Sequence, residues 1–312
     1  MLKIRQILYP TDFSSCANQA LLQALFLAEQ FEAELHMLHA IVLHDYDPRD
    51  PAQQFPEPSD IFKQLFEIAE SEMANIVRQS QSKTFAIREA KVRGYSAAEV
   101  ILDYADEHDI DLIVMGTHGR RGPARLFLGS VAEEVVRLAP CPVLTLREQE
   151  EPRPIEAVET ILVPVDFSDH SKKALSFAVQ IAARYEARLQ LLHTIEEPNL
   201  PYFYAPIGGL SVAKHLEELE TRSNEAIDQL MDELDGPAVP YDKFVTSGRP
   251  AAEIIRHAEQ NNSDMIVIAT HGLTGLERML LGSTASEVLR HAQCPVLTVK
   301  SFGKNLEPAA SA

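Results

Sequence analysis

The chain contains itself twice, and that constrains its fold more than any other feature. The run ILYPTDFS at 7–14 recurs as ILVPVDFS at 161–168, and LHMLHA at 35–40 recurs as LQLLHT at 189–194, both at an offset of 154 residues. Gly94 with Ala98-Glu99 recurs at the same offset as Gly248 with Ala252-Glu253. From Gly116 onward the offset is 153 and holds through Gly129/Gly282 and Cys141/Cys294, so one residue has been lost where EHDID faces NNSD. A match along the whole length at constant spacing requires two copies of one domain, each of about 150 residues.

Each copy alternates two periodicities. Strands are expected near 4–9, 35–40, 85–92, 111–115 and 142–147, and helices near 14–32, 59–82, 96–108 and 130–139. The second copy follows, with strands near 159–164, 188–194, 240–246, 264–268 and 295–300. Near-continuous apolar strands between amphipathic helices are the pattern of a parallel sheet covered on both faces. The domains are expected over 1–147 and 159–300, with a charged, proline-bearing linker at 148–158 and a tail at 301–312. Two irregular stretches, 43–58 and 196–210, follow the second strand of each copy; they read either as lids or as variable surface crossovers.

The formal charge is −18, with 14 basic and 23 acidic residues in each of 1–150 and 151–312. An evenly acidic surface disfavours nucleic acid and anionic membrane as partners, and an anionic ligand must be held by local groups against that field. The N-terminus runs straight into a strand pattern without an apolar h-region, and no apolar run approaches a membrane span. Three cysteines without zinc or CxxC spacing suit a reducing cytosol, so the expected location is cytoplasmic. Cys141 and Cys294 read as small packing residues.

The chemistry concentrates in a glycine loop present in both copies. Gly116-Thr117-His118-Gly119 is followed after nine residues by Gly129-Ser130, and Ala269-Thr270-His271-Gly272 after nine by Gly282-Ser283. Each loop follows an apolar run, LIVM at 112–115 or MIVI at 265–268, and precedes a helix. Strand, glycine loop and helix N-terminus together supply backbone N–H groups and a positive dipole end that suit a phosphate. Ser130 and Ser283 either cap their helix or donate to phosphate. Arg120, Arg121 and Arg125 add guanidinium contacts in the first loop, whereas the second keeps only Arg278, and the methyl of Ala269 is expected to crowd a ribose or phosphate. The first site is therefore expected to bind more tightly.

Asp12 and Asp166 end strand one in P-[TV]-D-F-S, where the winding of an open sheet reverses and ligands collect. They read as ligand contacts, as N-caps in competition with Ser14 and Ser168, or as both. His39 and His193 end strand two, and with no nucleophile or third triad member beside them they read as packed, hydrogen-bonded groups. His118 and His271 either touch a ligand or are exposed.

The ordered set P-[TV]-D-F-S, Leu-His at the end of strand two, G-x-[SP]-A-x-E, the loop with its nine-residue spacing, and C-P-V-L-T resembles the universal stress protein family over nearly all of 1–147 and 159–300. The resemblance implies an α/β class: two tandem Rossmann-like domains, each a five-stranded parallel sheet of order 3-2-1-4-5 with helices on both faces. It also implies ATP at the glycine loops, with or without Mg²⁺. Asp12 and Asp166 would contact the nucleoside, and Ala40 and Thr194 would meet adenine through their backbone. Gly116, Gly119, Gly129, Ser130 and Val131 would hold ribose and phosphates, matched by Ala269, Gly272, Gly282, Ser283 and Thr284. It further implies edge pairing of the last strands, VLTL at 143–146 with VLTV at 296–299, as an intramolecular pseudo-dimer, with a homodimer as a further option.

Three functions compete at this stage. One is a nucleotide-binding regulatory protein. A second is an enzyme, either a slow ATPase or a nucleotidyl transferase, with at most weak ATP hydrolysis expected, since the chain has no G-x-x-x-x-G-K-[ST], no G-x-G-x-x-G and no His-x-Gly-His. The third is a scaffold for another small molecule or a partner, with YFYAPIGG at 202–209 as an apolar lid or an ordinary loop.

Overall fold

The computed structural model describes residues 2–42, 58–79, 84–118, 128–149, 158–196, 209–270, 281–300 and 304. The expected lids, the linker beyond Gln149, and most of each glycine loop, with Gly119, Arg120, Arg121, Arg125, His271, Gly272 and Arg278, lie outside the described residues. The chain divides into two compact units, Lys3–Ile155 with Gly303–Ala312, and Glu156–Phe302 with Met1–Leu2.

The first unit runs β1 (Gln6–Pro10), α1 (Ser15–Phe31), β2 (Glu34–Val42), α2 (Pro58–Gln79), β3 (Ile87–Gly94), α3 (Ala97–Glu107), β4 (Leu112–Gly116), α4 (Ser130–Leu138) and β5 (Val143–Leu146). Every strand pairing in it is parallel, with Leu8 level with His36 on one side and Ile113 on the other, Leu35 with Ile87, and Ile113 with Val143. Its strand order is therefore β3-β2-β1-β4-β5. The second unit repeats this with β6 (Thr160–Pro164), α5 (Asp169–Tyr185), β7 (Arg188–Ile195), α6 (Gly209–Asp232), β8 (Tyr241–Ser247), α7 (Pro250–Gln260), β9 (Met265–Ala269), α8 (Ser283–His291) and β10 (Val296–Val299), in the order β8-β7-β6-β9-β10. None of the described helices is long and apolar enough to cross a membrane.

The central strands are apolar throughout because helices cover both faces: Ile7, Leu8, Tyr9, Ile113, Val114, Ile161, Leu162 and Val163 have no exposed surface. Strand β3 is instead charged, with Arg88, Glu89 and Arg93 exposed and Lys91 paired to Glu70 at 3.6 Å, which suits a sheet edge. Helix α1 lays Ala17, Ala20, Ala24 and Ala28 on the sheet, and α5 lays Ala174, Ala178 and Ala182, so both helices can approach closely. Both begin at a serine N-cap: the Ser14 hydroxyl accepts from the Ala17 amide and that of Ser168 from the Ser171 amide, each at 3.2 Å.

Lys304 belongs to the first unit, although it follows the second domain in sequence. Its N–H donates to the Pro140 carbonyl at 2.8 Å. Its ammonium reaches the Asp109 carbonyl at 2.6 Å and carboxylate at 2.8 Å, and Asp111 Oδ1 at 2.5 Å. The other oxygen of Asp111 accepts the amides of Arg5 (2.6 Å) and Gln6 (3.0 Å), tying the starts of β1 and β4 together.

Close approach explains one of the loop glycines. A Cβ on Gly116 would lie 2.7 Å from Cys16 Sγ and 3.1 and 3.2 Å from the Cys16 carbonyl carbon and oxygen, so α1 occupies the space a side chain would need. Ala269 has the same register in the second unit, level with Val299 as Gly116 is with Leu146. Gly116→Ala is expected to destabilise the first domain by about 1–3 kcal/mol. Ala269→Gly should cost the second no more than about 1 kcal/mol. Denaturant titration of both variants checks the contrast.

The second unit also buries a histidine with one nitrogen unsatisfied. His257 is 7% exposed, packs edge-on to Phe244 at 4.4 Å, and its Nε2 has no hydrogen-bond partner among the described residues. Burial, reinforced by Arg256, lowers its pKa below the ordinary value of 6.5. The unfolded chain then takes up a proton before the folded one does. This contribution is complete above pH ~6.5 and is lost as pH falls through the folded value. Stability of the second domain is expected to drop between neutral pH and pH ~5, and His257→Phe should flatten that slope in pH-dependent unfolding.

Candidate functional site

The turn after strand one is built alike in both copies. Phe13 and Phe167 both sit at φ 61°, the left-handed region, where a bulky aromatic side chain is strained by on the order of 1–3 kcal/mol. Each ring packs against a histidine, Phe13 on His39 and Phe167 on His193, with centroids 4.7 Å apart in both cases. The Nδ1 atoms of those histidines bond the Thr11 carbonyl at 2.7 Å and the Val165 carbonyl at 2.8 Å. A carbonyl only accepts, so Nδ1 carries the hydrogen in both rings.

Asp12 Oδ1 accepts the Ser14 amide at 3.0 Å, and Asp166 Oδ1 accepts the Ser168 amide at 3.0 Å and its hydroxyl at 2.6 Å. The helix caps are therefore Ser14 and Ser168, and the aspartates stand two residues earlier, holding the bend. The copies lock this bend with different atoms. In the first, the Tyr9 hydroxyl donates to the Ala17 carbonyl (2.9 Å) and contacts Thr11 Oγ1 (3.1 Å), which in turn accepts the Phe13 amide (3.0 Å). In the second, valines replace Tyr9 and Thr11, and Ser171 Oγ accepts the Asp166 amide (3.4 Å) while donating to the Ser168 carbonyl (3.0 Å).

Parallel register carries the remaining groups to the same edge. Pro10 is level with Leu38, two residues before Asp12 and Ala40, and Leu8 is level with Ile113, three residues before Thr11 and Gly116, so these groups come to the same carboxyl edge. The chain leaves β1 toward β2 and leaves β4 toward β5, so a crevice opens between β1 and β4 at their carboxyl ends. Asp166, Thr194 and Ala269 take the corresponding places in the second unit.

Both ends of each glycine loop are pinned. Thr117 N–H donates to the Leu146 carbonyl and Gly129 N–H to the Thr117 carbonyl, each at 2.8 Å; Thr270 and Gly282 repeat these bonds at 3.1 and 2.8 Å. A Cβ on Gly129 would lie 3.0 Å from the Thr117 oxygen, so this closure requires the small residue. Gly129 and Gly282 are themselves the N-caps of α4 and α8, with no side-chain capping bond. Capping is therefore not the role of Ser130 or Ser283, which are the first helical residues. The first intrahelical bonds are Glu133 N–H to Gly129 and Ser286 N–H to Gly282, each 2.9 Å. The amides of Ser130, Val131 and Ala132, and those of Ser283, Thr284 and Ala285, thus have no intrahelical acceptor.

At the loop base His118 Nδ1 meets Thr117 Oγ1 at 2.9 Å, and its buried Nε2 has no partner among the described residues. Burial, with Arg147 nearby, lowers its pKa, so the ring is neutral at physiological pH. Burial also raises the pKa of the Cys16 thiol, which suits a spacer under Gly116 rather than a nucleophile. No three His, Cys, Asp or Glu side chains converge as a metal site among the described residues.

Phe13 and Phe167 are part of the site's frame, although sequence reasoning passed over them; the signal available was the unaltered D-F-S in both copies.

The model of the universal stress protein family matches residues 3–147 and again 157–300. A universal stress protein of Methanocaldococcus jannaschii is 36% identical over 140 residues, covering 45% of this chain and 81% of that protein. One of Mycobacterium tuberculosis is 27% identical over 255 residues, covering 80% of this chain and 82% of its own length. The crystal structure of a universal stress protein from Archaeoglobus fulgidus superposes with a TM-score of 0.67 at 19% identity, over 95% of this chain and 98% of that one, and so shares the fold. With two matches that together take in nearly all of its length, the chain belongs to the universal stress protein family, carrying two of its domains in tandem.

Proposed function

We propose that each crevice binds ATP and that the chain is a nucleotide-binding regulatory protein. The observation that carries this reading is the glycine-capped helix at the strand-reversal point. Three amides with no intrahelical acceptor and the positive end of the helix dipole follow the strand next to the one whose carboxyl end carries Asp12, in an otherwise acidic protein. The donor set fits the group. Gly129, Ser130 and Val131 would hold phosphate, as would Gly119, Arg120 and Arg125 of the loop; Gly116 would lie under the ribose, and Asp12 and the Ala40 backbone would take the nucleoside. Asp166, Thr194, Ala269, Gly272, Gly282, Ser283 and Thr284 would do the same in the second domain. ATP would supply the polyphosphate charge that these amides match, and any Mg²⁺ would arrive with it.

Both crevices are expected to bind, the first more tightly because its loop carries three arginines against one. Protein denatured directly after purification should release ATP on chromatography, approaching two per chain once the protein has been saturated. ADP alone would point to turnover, and an empty extract with no calorimetric binding would overturn the reading. Asp12→Ala should weaken the first site on the order of tenfold to a hundredfold, the loss of one charged hydrogen bond. Ala269→Gly should tighten the second site in the same calorimetry, by relieving the crowding expected of that methyl; an unchanged affinity would show the methyl to be clear of the ligand.

A further inference from the structure

We infer that His39 and His193 are positioning residues, which set the crevice aspartates through the peptide that precedes them; this rests on the ATP reading above. The carbonyl each histidine bonds, that of Thr11 or Val165, belongs to the peptide joining that residue to Asp12 or Asp166. A peptide unit is planar, so fixing its oxygen fixes the nitrogen and Cα of the aspartate. On the far side the Ser14 or Ser168 amide holds the carboxylate. Between these two anchors stands the left-handed phenylalanine, its ring packed at a tilt against the same imidazole. One histidine therefore holds the bend twice, by a hydrogen bond and by its ring.

The repetition argues that this is more than local packing. The two copies agree in φ, in ring separation and, to within 0.1 Å, in the carbonyl bond, at 2.7 and 2.8 Å. Other supports of the same bend have been exchanged, Tyr9 and Thr11 for valines and Ala17 for Ser171. A strained backbone maintained through such changes is the mark of a geometry that something else depends on, and the group whose direction it sets is the aspartate.

The test compares His39→Leu, which removes the donor, with His39→Asn, whose amide nitrogen can take the place of Nδ1. His39→Gln is the polar alternative that sets its donor elsewhere, should the leucine variant fold poorly. Calorimetry well below the unfolding temperature reads ATP affinity, and amide hydrogen exchange reads the Ser14 and Ser168 N–H groups. His39→Leu and His39→Gln should weaken the first site roughly tenfold and speed exchange at Ser14. Ser168 and the second site should be unaffected, and His39→Asn should restore both readings. In an Asp12→Ala background His39→Leu should cost no further affinity, because its effect passes through Asp12. Unchanged Ser14 exchange, or a loss of affinity that adds to that of Asp12→Ala, would overturn the inference. If the parent protein binds no ATP, the functional reading fails, while Ser14 exchange still decides whether the histidine sets the bend.

Discussion

Everything at the candidate site depends on one central strand hydrogen-bonded in parallel on both sides. β1 in the first unit, and β6 in the second, pairs with the second strand on one flank and the fourth on the other, and is buried by helices above and below. Parallel pairing brings all carboxyl ends to one edge, and the opposite exits of the first and fourth strands leave that edge open at its middle. The bend holding Asp12, the position of Ala40 at the same edge and the pinned base of the glycine loop all follow from this arrangement. Asp111, bonding the amides of Arg5 and Gln6 and receiving Lys304, secures the other end of the same two strands.

The two copies keep geometry and exchange chemistry. At the bend, hydroxyls from Tyr9 and Thr11 give way to one from Ser171. At the end of the fourth strand, Gly116 packed against Cys16 is replaced by Ala269 at the same register. On the second strand His36 bonds Tyr104 at 3.0 Å and Gln6 at 2.6 Å, while its counterpart Gln190 accepts from Ser263 at 2.7 Å. Each exchange replaces a satisfied buried polar group by another satisfied group or by an apolar pair, which is how a core diverges without leaving donors orphaned. His257, whose Nε2 has no partner among the described residues, departs from that rule, and protonating the buried ring adds to its cost as pH falls.

The frame was legible because burial leaves a periodic trace. LIVM at 112–115, MIVI at 265–268 and the two copies of P-x-D-F-S give strands within a residue or two of where they lie, and the crevice follows from their order. The roles of single small residues were less legible. Ser130 read either as a cap or as a phosphate donor, and only the backbone shows that the cap is Gly129, because sequence records which atom is present and not which way it faces. A glycine N-cap and a phenylalanine in the left-handed region depend on backbone direction, which is set by the neighbouring strand and helix.

By itself the sequence determined that there are two like domains, that each is an open α/β sheet, and that phosphate-suited loops and acidic strand ends fall at matching places. Periodicity and spacing are properties of the chain, and hydrophobic burial converts them into strands and helices without further information. Only the tertiary structure decided which groups act on one another: that His39 grips the peptide before Asp12, that Cys16 fills the space at Gly116, and that Lys304 closes on Asp111 from 193 residues away. Those pairings depend on side-chain direction and on the meeting of distant segments, and no local pattern along the chain encodes either.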